Sequence, residues 1–408
     1  MHSLLFCLMV VAVPAQASEM SLAQLLEAAM LKHPSVMQAR SQAQAAGFEV
    51  DATRWSRYPS LSTELRSDTG ASQSVAKLEQ PVWTAGKITA RIALSESNQR
   101  VAEAAVHEAE FTALNQVSIA FYEVLRLQDR LVSANANIAE HERLLALIER
   151  RAAAEVTPQA DVTLAQARLQ QAVSEKIQIQ RQLDASLSSL TQWAGPLTGN
   201  LRAPNSILFK RPASLVQIQD KVFAASAQRK RLTGQIESAE AQIKVSQTQI
   251  YPSLMAGYQR SWGGQVPAGV DRGQAYLSVQ FQSGAGLSAL SGVQAAVARK
   301  SASQQELETL ERQLSAKVST TLSELDALQA QIGPARALQA GTADIVESYL
   351  RQYQVGRKNW LDVLNAQREK TQALYSLTDT RFGLQLAQLN LMILTGDIVA
   401  QPLNTLHD

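Results

Sequence analysis

Cysteine is nearly absent: Cys7 is the single thiol in 408 residues. It lies in an apolar run, Leu4 to Val13, that ends in the small-x-small pattern Ala15-Gln16-Ala17, so residues 1–17 read as an export signal. Leu5-Phe6 before Cys7 fits a lipid-attachment site poorly, and no lipid anchor is expected. Loss of the leader removes the thiol, which excludes disulfides, thiolate metal sites and cysteine nucleophiles from the mature chain. Charge is also scarce, at 18%, with 38 basic residues against 36 acidic ones for a net +2. A balance so near zero, without a basic cluster, excludes a nucleic-acid-coating surface. No run outside the leader approaches the roughly 18 apolar residues of a membrane-spanning helix, so a multi-span transporter is excluded.

Catalytic constellations are missing as well. There are five histidines. His2 leaves with the leader, and His33, His107, His141 and His407 are scattered. His141-Glu142 has Leu145 where a zinc site would need its second histidine, and no serine–histidine–acid set can be argued from spacing. Gly284-Ala285-Gly286-Leu287-Ser288-Ala289 matches a dinucleotide fingerprint, follows a strand and has Glu306 some way downstream. That fold requires a second parallel strand after a short helix, whereas a very long helical stretch follows here. The chain is therefore expected to be neither an enzyme nor a holder of any cofactor or metal.

What is present is a duplication. Aromatic residues make up only 5%, and alanine, leucine, glutamine and serine dominate, the palette of long helices. Ser21-Leu22-Ala23-Gln24 returns as Ser214-Leu215-Val216-Gln217, and Tyr58-Pro59-Ser60-Leu61 as Tyr251-Pro252-Ser253-Leu254. Asp161-Val162, Ala165-Gln166 and Gln171-Ala172 return as Asp362-Val363, Ala366-Gln367 and Gln372-Ala373, and Gly195 as Gly396. Ordered agreement at several sites gives two copies of one unit. The expected organisation is a signal at 1–17, a first repeat at 18–200, a linker at 201–213, a second repeat at 214–396 and a tail at 397–408.

Each copy predicts a short helix (21–32, then 214–226) and a second helix (36–57, then 229–250) that stops at Tyr-Pro, because the residue before proline avoids the helical region. A hairpin follows, with loops at 67–74 and 261–273. Next come a very long helix (87–150, then 288–352), a turn and another long helix (160–193, then 360–394). Phe111, Leu114, Ser118, Phe121 and Leu125 carry the helical period, as do Val162, Leu169, Val173, Ile177, Leu183, Leu187 and Leu190, and in the second copy Leu377, Leu384, Leu391 and Leu394. These stripes are seams for neighbouring helices. Residues 87–150 would extend about 95 Å if unbroken, and Gly333-Pro334 predicts a kink in the second copy alone.

The strands alternate. Leu61, Thr63 and Leu65 oppose Ser62, Glu64 and Arg66. Ala275, Leu277, Val279 and Phe281 oppose Tyr276, Ser278 and Gln280. Such a sheet suits a half-buried layer in water or a membrane barrel with a wet lumen. Four strands cannot close around a lumen, for which about eight are needed, and lipid does not tolerate an open edge. If the strands span a membrane, several chains must share one barrel.

The chain resembles the TolC-like family of outer-membrane export ducts. The residues that carry the resemblance are Tyr-Pro-Ser-Leu before each first strand, Gln80-Pro81-Val82-Trp83-Thr84-Ala85-Gly86 after the second, the stretch Tyr353-Gln354-Val355-Gly356-Arg357-Lys358-Asn359-Trp360-Leu361-Asp362-Val363-Leu364, and the ending Leu389-Asn390-Leu391 to Gly396. The resemblance implies a mainly α fold with a membrane β-barrel contribution: a homotrimer whose twelve-stranded barrel in outer-membrane lipid continues into a twelve-helix tunnel across the periplasm. It implies a periplasmic adaptor and an inner-membrane transporter as partners, with the duct conducting passively in type I protein secretion or small-molecule efflux. The alternative is a soluble periplasmic coiled-coil adaptor or scaffold, which should instead have one helical pair and many strands.

By position in that family, Asp161 is implied to pair with Tyr353 and Lys358 in a periplasmic gate. Lys358 stands where arginine is usual and cannot form a bidentate fork with a carboxylate. Asp362 matches the first of two acidic ring positions at the tip aperture, and Asn365 occupies the second. Adaptor docking is implied at the tip turns, Glu155-Val156 and Val355-Gly356, where Glu155 replaces the expected glycine.

Overall fold

The structure, a computed structural model, describes residues 20–68, 71–204, 209, 211, 214–263, 273–281 and 288–400, with the side chains of 66–73, 399 and 400 excepted. The signal, the dinucleotide-like segment Gly284–Leu287, His407 and residues 401–408 lie outside the described residues, as does much of the linker.

Local chemistry sets the helix starts. Ser21 caps α1 (Leu22–Lys32): its hydroxyl accepts from the Gln24 amide while the Gln24 side chain accepts from the Ser21 amide. Ser214 caps α5 (Leu215–Ala225) through the Gln217 amide. The repeated Ser-Leu-x-Gln thus satisfies amides that a helix start leaves open. Pro34 opens α2 (Pro34–Trp55) and Ser226 caps α6 (Ala227–Thr248); both helices stop ahead of Tyr-Pro. The long helices are α3 (Lys87–Ala153) and α7 (Ser288–Gln354), of 67 residues each, followed by α4 (Gln159–Ala194) and α8 (Trp360–Thr395), of 36 each. A single turn, α9 (Asp397–Ala400), ends the described chain.

Gly333-Pro334 does not end α7, which runs through Pro334. Proline removes one amide and crowds the carbonyl four residues back. The twenty residues beyond it remain helical, held through Thr342, Val346 and Tyr353, which are buried.

A parallel pair, β1 (Met20–Ser21) with β4 (Leu201–Arg202), ties the start of α1 to the segment after α4. The hairpin strands are β2 (Ser60–Asp68), β3 (Ala71–Trp83), β5 (Ser253–Gly263) and β6 (Gly273–Gln280). The connections are therefore shorter than expected, 69–70 and 264–272, because pairing runs out to Asp68–Ala71 and to Arg260–Gly273. The two hairpins join through β3 and β5 into one antiparallel sheet of order β2-β3-β5-β6.

Three apolar clusters hold the helices. A belt at mid-length packs Leu22, Leu25 and Leu26 of α1 against Leu114, Phe121 and Leu127 of α3, with Leu183 and Leu190 of α4 and Phe382 and Leu389 of α8. A second cluster joins Ile218 and Val222 of α5 to Val318 and Leu322 of α7 and Leu391 of α8. The third, at the far end, gathers Leu144, Ile148, Val162, Tyr353, Trp360 and Val363. Each fully buried leucine contributes on the order of 1.5–3 kcal/mol. Ile177, expected in a seam, is instead exposed.

Candidate functional site

Two regions could do the work, the sheet and the helical tip. Residues paired across an antiparallel ladder share a face. Register therefore places Leu61, Leu78, Tyr258 and Ala275 in one row, Ala256 and Leu277 in a row below, and Leu254 with Val279 below that. Apart from Gln80 beside Ala256 and the Thr63–Ala76–Arg260 row above, this face is apolar, and it is bare: Leu61 is 71% exposed and Leu277 66%. The opposite face is polar. Lys77 Nζ lies 2.7 Å from Glu79 Oε1, the Tyr276 hydroxyl donates to the same oxygen at 2.9 Å, and the ammonium sits 5.6 Å from the Tyr276 ring centroid. Tyr276 lies flat across Gly257, where a Cβ would come within 2.2 Å of the ring. A sheet packed on a water-soluble core would cover its leucine face and leave the ion-paired face to solvent, whereas here the leucine face is bare.

At the tip, the turns after α3 and α7 adopt the same left-handed residue, Glu155 at φ 56° and Gly356 at φ 76°. Glycine takes this conformation without steric cost, whereas a residue with a Cβ is strained by about 1–2 kcal/mol. Val156 and Val355 beside them are exposed.

The proposed gate residues are near one another but differently partnered within one chain. Asp161 Oδ2 accepts from Thr157 Oγ1 at 2.9 Å, and Thr157 Oγ1 lies 3.4 Å from the Tyr353 hydroxyl. Lys358 Nζ is 3.7 Å from Asp362 Oδ2 and 4.2 Å from the Tyr349 ring centroid. Among the described residues no ion pair joins Asp161 to Lys358. Asp362 accepts from the Asn359 amide at 3.3 Å as the third residue of a capping box. Asn365 is half-buried. Three residues that sequence reasoning missed complete the junction. The Arg151 guanidinium stacks 4.9 Å from the Tyr353 ring, Tyr353 lies 5.1 Å from Trp360, and Thr157 links Asp161 to Tyr353. Trp360 stood inside the quoted 353–364 motif and could have been picked out as the only large aromatic at a helix start there.

A polar seam runs up from the tip between α3 and α8. Asn137 Oδ1 accepts from Gln367 Nε2 at 2.9 Å and from Thr371 Oγ1 at 2.8 Å, all three residues being buried. Higher up, Arg126 and Arg130 clasp the two oxygens of Asp379 at 2.9 and 3.0 Å.

Among the described residues no group of histidine and acidic side chains could hold a metal ion, and no helix is long and apolar enough to cross a membrane.

Comparison with known proteins follows the same lines. The profile of the outer membrane efflux protein family matches residues 25–196 and 230–397. No curated protein sequence matches significantly. Among solved structures, a membrane protein from Pseudomonas aeruginosa superposes with a TM-score of 0.80 at 18% identity, over 92% of this chain and 90% of its own. The outer membrane protein VceC from Vibrio cholerae gives 0.77 at 18%, over 92% and 96%. The Campylobacter jejuni CmeC outer membrane channel gives 0.80 at 11%, over 92% and 85%. These likenesses show a shared fold, that of TolC-like channels. With the profile covering both halves of the helical framework, the chain belongs to the outer membrane efflux protein family.

Proposed function

We propose that this protein is the outer-membrane duct of a tripartite export machine, passing substrate from an inner-membrane transporter and periplasmic adaptor to the outside. One observation carries the reading: a four-stranded sheet with bare leucines on one face, an ion pair on the other and no second neighbour for β2 or β6 among the described residues. β3 and β5, of 13 and 11 residues, meet the roughly 9–11 that a tilted strand needs to cross a bilayer. Four strands cannot close, so three copies contribute twelve, and the pairs α3–α4 and α7–α8 of each copy continue the wall as a twelve-helix periplasmic tunnel. In this reading residues 18–200 and 214–396 are the two repeats, joined by 201–213 and followed by the tail 397–408.

The far end of the helices is the periplasmic gate, formed by Asp161, Tyr353 and Lys358, with Asp362 and Asn365 at the aperture and Glu155, Val156, Val355 and Gly356 offered to the adaptor. Asp161 and Lys358 are only partly exposed, and single charge pairs and hydrogen bonds of this kind are worth about 0–1 kcal/mol each, a scale suited to a gate that must open. Cargo is a secreted protein or a small molecule. The sheet is tested by Leu277→Arg against Ser261→Arg on the polar face. A lipid-facing arginine costs about 2–4 kcal/mol at mid-bilayer and a lumenal one little. Leu277→Arg is expected to lose the outer-membrane, heat-resistant oligomer while Ser261→Arg keeps it. Equal retention of both refutes the barrel.

A further inference from the structure

Between α4 and α8, over the flank of α3, lies a cavity of about 450 Å³, a size typical of small-ligand pockets. It is polar and its walls come from both halves of the chain: Arg168 and Glu175 on α4, Arg368 and Tyr375 on α8, Asn137 and His141 on α3. Neither Arg168 nor Arg368 has a carboxylate partner among the described residues. Arg168 Nη1 donates only to Gln171 Oε1, at 2.9 Å.

The remaining lining does not balance these two guanidinium groups. Glu175 is the single acid, and burial raises its pKa against the pull of Arg130. Burial lowers that of His141, helped by Arg168 and opposed by Glu140, so the imidazole is neutral at pH 7. His141 is 6% exposed and Tyr375 2%; the His141 Nδ1 and the Tyr375 hydroxyl have no hydrogen-bond partner. Polar groups buried in this way are ordinarily satisfied. The cavity thus pairs surplus positive charge with unused neutral hydrogen-bonding capacity.

We propose that this cavity binds a small multivalent oxyanion, a phosphate or a dicarboxylate, clamped between Arg168 and Arg368. Planar guanidinium forks match such oxygens in pairs. Because one fork stands on α4 and the other on α8, the bound anion ties the two helix pairs together above the tip and favours the arrangement seen here. The site lies within one chain, so it holds whether or not the trimer forms as proposed.

The test is thermal melting of the purified full chain in detergent at fixed pH and ionic strength, with sodium phosphate or sodium malonate replacing chloride. A saturable rise in Tm of about 2–5 °C is expected for the unaltered protein, as for any ligand that binds only the folded state. The rise should vanish in Arg168→Gln and in Arg368→Gln, and be reduced in Arg368→Lys. Arg368 is exposed, so its variants should fold. No anion-specific rise, a rise that fails to saturate, or one that persists in both glutamine variants overturns the proposal.

Discussion

The helices α3 and α7 have the same length and the same place after a hairpin, yet α3 buries eighteen residues and α7 nine. Intrinsic helix preference is lower in α7, which holds Gly292, Gly333, Pro334 and Gly341 where α3 has neither glycine nor proline, but it does not decide how much surface is covered. Position does. α3 is flanked by α1, α2, α4, α6 and α8, while α7 meets α5, α6 and α8. On α7, Leu290, Val297, Leu338 and Ile345 are left exposed. Two copies of one element therefore differ in how much of their surface their own chain covers, and α7 is the barer copy.

The comparison can be broken first at its stronger side. Phe121→Ala empties the middle of the belt on α3, where Phe121 is wholly buried, and should cost about 3–5 kcal/mol. Loss of cooperative melting by circular dichroism, already in the isolated chain, is the expected outcome. A small shift would mean that α3 is no better anchored than α7. At the weaker side, Leu338→Arg should leave helix content intact and raise dissociation of the proposed trimer tenfold or more, each tenfold being about 1.4 kcal/mol. Light scattering after size exclusion reads this directly. An unaltered oligomer would separate the exposure of α7 from assembly. The smallest expected effect lies at the two tip turns. Glu155→Gly gives the first turn the residue the second already has at its left-handed position, and should stabilise it by about 1 kcal/mol. Amide exchange at residues 154–157 should slow; unchanged or faster exchange would show that Glu155 makes a contact outweighing its strain.

Much of the framework was legible because it is written locally. Ser-Leu-x-Gln states its cap, Tyr-Pro states its stop, and alternation around Leu61 and Leu277 states a strand. The long helix expected over 87–150 ends only three residues later, at Ala153. What escaped reading depends on chain segments far apart in sequence. The β3–β5 pairing joins hairpins about 180 residues apart. The Asn137–Gln367–Thr371 and Arg126–Asp379 contacts span more than 200, and no periodicity announces a polar seam between helices. At the tip, family position directed attention to Asp161, Tyr353 and Lys358. The partners Thr157 and Arg151 became visible only when α3, α4, α7 and α8 were brought to one end, whereas Trp360 already stood in the 353–364 motif.

The short β1–β4 ladder has a practical corollary. It moors Met20 to Leu201, beside the belt and roughly 45 Å along α3 from either tip. A fluorophore or affinity handle fused just ahead of residue 20 should therefore emerge at the waist of the molecule, reporting on its girdle while leaving both mouths of the conduit unobstructed.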